Sequence, residues 1–199
     1  MDAEIKNRLS QGLQHHGQGR LDAAEKLYNE VLQRAPGNPD ALNLLGVMKH
    51  QRGDPAAAEA LLQRAIAGNA EVAGFWNNLG NVQAALGKFE DAANAYSRAV
   101  ALQPDDALAL LNLGFIQKAL GQLDGAIDKY RRAIALQPNF AEAHSKLGVV
   151  LTEREQLDEA AEHFRKALTL KPDYIEARAS LGNVLRAQGQ LEEAVSQFE

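Results

Sequence analysis

The chain of 199 residues contains no cysteine, which excludes disulfides and thiolate metal sites and fits a reducing compartment. Proline is scarce, at six residues, and leaves long stretches rich in the helix formers Ala, Leu, Glu and Gln. No stretch approaches the roughly 18 consecutive apolar residues of a membrane span. The opening Met1-Asp2-Ala3-Glu4 is acidic and runs into no apolar segment, unlike a secretory leader. There is no block of like charge either. The formal net charge of −5 is dispersed, which argues against nucleic acid or an anionic membrane as partner. A cytoplasmic location is expected.

What the chain does have is a strict period. Written in rows of 34 from Ile5, it repeats without insertion or deletion over 5–38, 39–72, 73–106, 107–140, 141–174 and the incomplete 175–199. Column eight is glycine in every row: Gly12, Gly46, Gly80, Gly114, Gly148 and Gly182. Column twenty is always alanine: Ala24, Ala58, Ala92, Ala126, Ala160 and Ala194. Column seven is leucine from the second row on, with Gln11 in the first. Such a period marks stacked supersecondary units, none able to bury its apolar face alone. A single array over 1–199 is therefore expected, in place of one closed globule.

The third row shows what one unit is. Phe75, Leu79, Val82 and Leu86 are spaced by four, three and four, which places them on one face of an α-helix. Gly87 stops that helix. Ala92, Tyr96, Ala99 and Val100 then form the stripe of a second helix, which Pro104 ends. Each helix spans roughly 20 Å, and the short connection makes the two antiparallel neighbours. Small residues at columns eight, twenty and twenty-seven allow close helix approach. Column twenty-four (Tyr28, Leu62, Tyr96, Tyr130, Phe164, Phe198) supplies bulky core.

Trp76-Asn77-Asn78-Leu79-Gly80, Ala92 with Tyr96 four residues later, and Pro104 together match W-x2-L-G, A-x3-F/Y and P on a repeat of 34 residues. The chain resembles the tetratricopeptide repeat (TPR) family from Ile5 to Glu199. The resemblance implies an all-α fold, a right-handed α-solenoid of stacked antiparallel helix pairs forming a superhelix. Departures are local: Ala70 replaces a proline, Glu155 replaces a turn glycine, and Arg8 and Gln11 sit where apolar residues are usual. A polar first row suits an N-terminal cap, whereas the last row stops within its second helix. We therefore expect a fragment whose Leu191, Val195 and Phe198 stay partly exposed, with a homodimer through that C-terminal end as one way of covering them. Ala141 to Gly148 is also similar to the repeat arms of O-linked N-acetylglucosamine transferases and of related bacterial glycosyltransferases and sulfotransferases.

Catalytic chemistry is not evident. His15, His16, His50, His144 and His163 form no metal-ligand spacing, and the glycines fall on fixed columns and make no phosphate loop. The carboxylates scatter over outer helix faces. No catalytic residue, metal or cofactor is expected, and no enzyme within this chain.

The TPR resemblance implies that first helices line a concave face, with columns two, five, six, nine, twelve and thirteen turned to a ligand. These columns vary from row to row. They nominate Asn43 and Val47 in the second row, Asn77, Asn78 and Asn81 in the third, Leu108, Leu111, Asn112 and Phe115 in the fourth, and Lys146 in the fifth. Asparagine both donates and accepts, so Asn78 and Asn112, 34 apart in column six, could grip a peptide backbone. A transferase repeat arm uses a ladder of this kind; here Leu44, Lys146 and Ser180 interrupt it.

Chaperone-binding TPR domains clamp a C-terminal carboxylate. Of the five clamp positions this chain keeps Asn81, Asn112 and Lys146, while Asn77 and Glu142 stand where cations belong. At about 1.5–3 kcal/mol per hydrogen bond to a charged group, that change disfavours an acidic tail. Leu108, Leu111 and Phe115 instead suggest apolar anchors on a bound strand or helix. The reading is a non-enzymatic scaffold that binds a peptide segment of a partner protein; the alternative is the substrate-recruiting arm of a larger glycosyltransferase or sulfotransferase.

Overall fold

The computed structural model describes residues 2–197, and the candidate core residue Phe198 lies outside them. The described residues form twelve α-helices and no strand. The first helices of the pairs are α1 (Ala3–Gly17), α3 (Pro39–Gln51), α5 (Ala73–Ala85), α7 (Ala107–Ala119), α9 (Ala141–Glu153) and α11 (Ile175–Ala187). The second helices are α2 (Leu21–Arg34), α4 (Pro55–Gly68), α6 (Phe89–Leu102), α8 (Leu123–Leu136), α10 (Leu157–Leu170) and α12 (Leu191–Ser196). The sequence period is thus the period of the helices. Caps reinforce several starts: Asn38, Asp54 and Asp106 accept from backbone N–H groups of the first turn, and Pro39 and Pro55 open α3 and α4.

The chain divides into two compact units, Met1–Pro104 and Asp105–Glu199. In the first, α1 with α2, α3 with α4 and α5 with α6 pack as pairs, joined through α2 against α3 and α4 against α5. The first helices α1, α3 and α5 also touch in succession. The second unit repeats the scheme with α7 through α12, its first helices α7, α9 and α11 touching in the same way.

Close approach within a pair depends on column eight. A Cβ at Gly80 would lie 2.8 Å from the Tyr96 ring, at Gly114 2.8 Å from Tyr130, at Gly148 2.9 Å from Phe164, and at Gly46 2.9 Å from Leu62. Any side chain there collides with the bulky column-twenty-four residue of its own pair, which explains the invariant glycine. Between pairs, Ala24, Tyr28 and Val31 of α2 close on Ala41, Leu45 and Met48 of α3. The column-twenty alanines are buried in every row.

Turns within pairs use a left-handed residue: Gly19, Gly53, Gly87, Gly121 and Gly189. In the fifth row Glu155 occupies this position with φ 59°. The following residue bonds back alike in both cases, Lys88 N–H to the Gln83 carbonyl and Gln156 N–H to the Leu151 carbonyl, each at 2.9 Å. Glu155 thus adopts the backbone of a glycine and bears its steric cost.

Column four has a second task besides packing. Trp76 is half-buried, less enclosed than a core aromatic, and its Nε1–H donates to the Ala70 carbonyl at 2.7 Å. Arg178 makes the equivalent bond to the Pro172 carbonyl at 2.7 Å. A side-chain donor here ties the start of a first helix to the loop before it.

Candidate peptide-binding face

In the first unit, α3 and α5 carry the nominated residues Asn43, Val47, Asn77, Asn78 and Asn81. Asn43 is buried, Val47, Asn77 and Asn78 are half-buried, and Asn81 is exposed. The asparagines are engaged within the fold as well as facing outward. Asn78 Nδ2 donates to Asn43 Oδ1 at 2.9 Å, bridging α5 and α3, and the Tyr96 hydroxyl donates to Asn81 Oδ1 at 2.6 Å. Burial pushes the Tyr96 pKa up to about 12, so that hydroxyl remains a donor at any physiological pH. One amide hydrogen and the carbonyl oxygen of Asn78 take no part in the bridge and stay oriented by it.

Beside these residues lies a cleft of about 400 Å³ between α1 and α3, lined by Lys6, Leu9, Ser10, Leu13, Asp40, Asn43 and Leu44. Every one of these stands in column two, five, six or nine of the first two rows. The leucines make an apolar floor, while Lys6 and Asp40 place one cation and one anion at the rim. The nominated set contains only Asn43 of them. The missed signal was the first row, read above as a polar cap, although Leu9 and Leu13 occupy columns five and nine.

In the second unit, Leu108 and Phe115 project from α7, 51% and 46% exposed. They lie seven residues apart, two turns or roughly 10 Å along one face. Leu111 differs. It is only 4% exposed, so it offers no surface to a ligand. Three residues of helix leave it rotated about 60° from Leu108, enough to turn it to the packed side. Asn112 and Lys146 are half-buried, and the Lys146 ammonium stands 5.8 Å from the centroid of the Phe115 ring. This contact joins α7 to α9 and sets a cation beside the apolar pair. Lys118 is paired with Glu153 at 2.7 Å. A smaller cleft, about 240 Å³, opens between α9 and α11 over Phe164, lined by Val149, Thr152, Glu153, Ser180 and Asn183. These five again fall in columns six, nine, twelve and thirteen.

Each unit therefore presents on its first helices a surface of apolar floor, amide groups and isolated charges. Among the described residues there is no group of three or more His, Cys, Asp or Glu side chains placed to hold a metal ion. No helix among them is long and apolar enough to cross a membrane.

Comparison with known proteins adds family and fold. The family description "TPR repeat" matches residues 84–121, 118–152 and 150–189, and "Tetratricopeptide repeat" matches 9–73. Among solved structures, MamA is similar with a TM-score of 0.75 at 27% identity, over 86% of this chain and 94% of that one. YrrB, described as a TPR protein with an unusual peptide-binding site, aligns with a TM-score of 0.75 at 22% identity, over 88% and 96%. The pilF protein of Pseudomonas aeruginosa aligns with a TM-score of 0.87 at 17% identity, over 98% and 88%. The last two speak for the fold alone. No curated protein matches the sequence. Nothing in these matches supports the resemblance to transferase repeat arms.

Proposed function

The chain belongs to the tetratricopeptide repeat family, whose members are generally non-enzymatic scaffolds for protein interactions, and from that premise we propose that its first-helix face binds a peptide segment of a partner protein. The observation that carries the reading is the make-up of the two clefts. Their rims and walls come from the columns that vary between rows, while the invariant columns lie buried. In the second unit Leu108 and Phe115 serve as apolar anchors with Lys146 as a nearby cation; in the first, Asn78, braced by Asn43, serves as a backbone clamp. Asn77, Asn81 and Val47 complete the face of the first unit, and Asn112 that of the second. The cysteine-free composition suits a reducing, cytoplasmic setting.

The test is selection from a displayed peptide library, then affinity measurement on variants. Phe115→Ala and Lys146→Glu should each weaken binding about tenfold, or about 1.4 kcal/mol, as truncated anchors do. Unchanged affinity in both variants, and in Asn78→Ala, refutes the assignment.

A second contact is supported at α12. Val195 is 57% exposed, whereas its column counterparts Ile127 and Ala161 are buried, and neighbouring Leu191 is 61% exposed. We propose that copies of the chain meet through this end, the same patch on both. Phe198 lies outside the described residues.

A further inference from the structure

In three rows a column-four side chain places a ring or guanidinium nitrogen against the carbonyl of the loop before its helix, and two of these donors, Trp76 and Arg178, hold their proton across the whole physiological range. The third is His144. Its Nε2 lies 3.1 Å from the Pro138 carbonyl, the same bond in the same register. A carbonyl only accepts, so Nε2 carries the hydrogen and the neutral ring keeps its lone pair on Nδ1. That Nδ1 lies 2.9 Å from Nδ1 of His163 on α10, and the hydrogen between them therefore belongs to His163. His163 Nδ1–H donates to His144, and His144 Nε2–H donates to Pro138. This relay fastens the first turn of α9 both to α10 and to the loop that follows α8.

The charged groups acting on the pair are Glu159, Glu162 and Lys166 of α10 and Arg131 of α8. Glu159 Oε1 lies 3.7 Å from His163 Nε2 and also accepts from Arg131 at 2.8 Å. A first proton can settle on His163 Nε2, facing Glu159, without disturbing the relay. A second has no such place. On His144 Nδ1 it would set N–H against N–H across 2.9 Å, in a ring that is almost fully buried. Lys166 and Arg131 add like charge.

We propose that His144 and His163 form a proton-operated latch, closed while His144 is neutral and released when it gains a proton. Burial, outweighing the bond to Pro138, holds the His144 pKa below the usual histidine value, and burial followed by the neighbouring His144 does the same for His163. The sign follows. With folded pKa values depressed, the latch contributes fully above the unfolded value of about 6.5, and its contribution is lost as pH falls below it. The third row carries no titrating group at either position: Trp76 stands at column four and Ala95, part of the apolar cluster against which Trp76 packs, at column twenty-three, the column of His163.

The test is nitrogen NMR on the full chain, with amide exchange as a second readout. At about pH 7.5 the latch predicts an Nε2–H tautomer for His144, the less common Nδ1–H tautomer for His163, and a scalar coupling between the two Nδ1 nuclei. Acidification should abolish the coupling and speed exchange in the first turns of α9 about tenfold or more beyond the intrinsic change, with α5 as internal reference. The double variant His144→Trp, His163→Ala installs the third-row pair and should hold that excess within about twofold. An Nε2–H tautomer at His163 without coupling overturns the proposal. So does a His144 that titrates at the ordinary value, or a double variant as acid-sensitive as the parent. If the double variant does not fold, the tautomers and coupling of the parent chain decide alone.

Discussion

Replacing Glu155 by glycine should stabilise the protein, against the usual penalty for adding glycine. Glu155 has φ 59°, in the region where a non-glycine residue loses about 1–2 kcal/mol. Glycine removes that cost but adds back about 0.4–1 kcal/mol of unfolded-chain entropy. The net gain is about 0.5–1 kcal/mol, or roughly 1–4 °C in Tm for a chain of this size. The Glu155 carboxylate is exposed, so losing its charge is a small term. The reciprocal change is Gly121→Glu, at the same turn one row earlier, with φ 74° and Gln122 N–H bonded back to the Gln117 carbonyl at 2.8 Å. It should destabilise by about the same amount. Urea titration of both variants, with amide exchange across α9 and α10, measures the pair. A Glu155→Gly variant that is less stable than the parent, together with a neutral Gly121→Glu, would refute the steric reasoning.

Gly114→Leu should cost about 1–3 kcal/mol or more in urea titration, since even its Cβ would lie 2.8 Å from the Tyr130 ring. Trp76→Phe keeps a ring but loses the donor to Ala70, and should cost about 1 kcal/mol. Trp76→Ala should fall below the roughly 3–5 kcal/mol of a fully buried aromatic, because Trp76 is only half-buried. If the chain self-associates through α12, light scattering over a concentration series should show Leu191→Glu, Val195→Glu shifted toward monomer; an unchanged mass in both forms removes the proposed contact.

The helix pairs were legible because packing repeats with the sequence: Gly80 against Tyr96 and Gly148 against Phe164 are one contact restated every 34 residues. Glu155 was legible as a departure, and its positive φ confirms what the column demanded. The candidate face was less so. Column rules locate a residue to within about one helical step, which does not separate exposed Leu108 from buried Leu111. Amide pairing was hidden as well, since Asn78 finds Asn43 across two helices 35 residues apart. The cleft floor of Leu9 and Leu13 was overlooked because polar neighbours, Arg8 and Gln11, dominated the reading of the first row. Donor bonds from column four escaped because Trp, His and Arg share a hydrogen-bonding role without sharing size or hydrophobicity.

The central claim, that the first-helix face is the binding surface, is tested most directly by mapping amide chemical-shift changes as a library-selected peptide is titrated into the labelled chain. The expected changes fall on columns two, five, six, nine, twelve and thirteen of the first helices within a unit, α1, α3 and α5 in one or α7, α9 and α11 in the other, with Phe115 and Lys146 among them in the second unit. Changes confined to the outer faces of α2, α4, α6, α8 and α10 would contradict it.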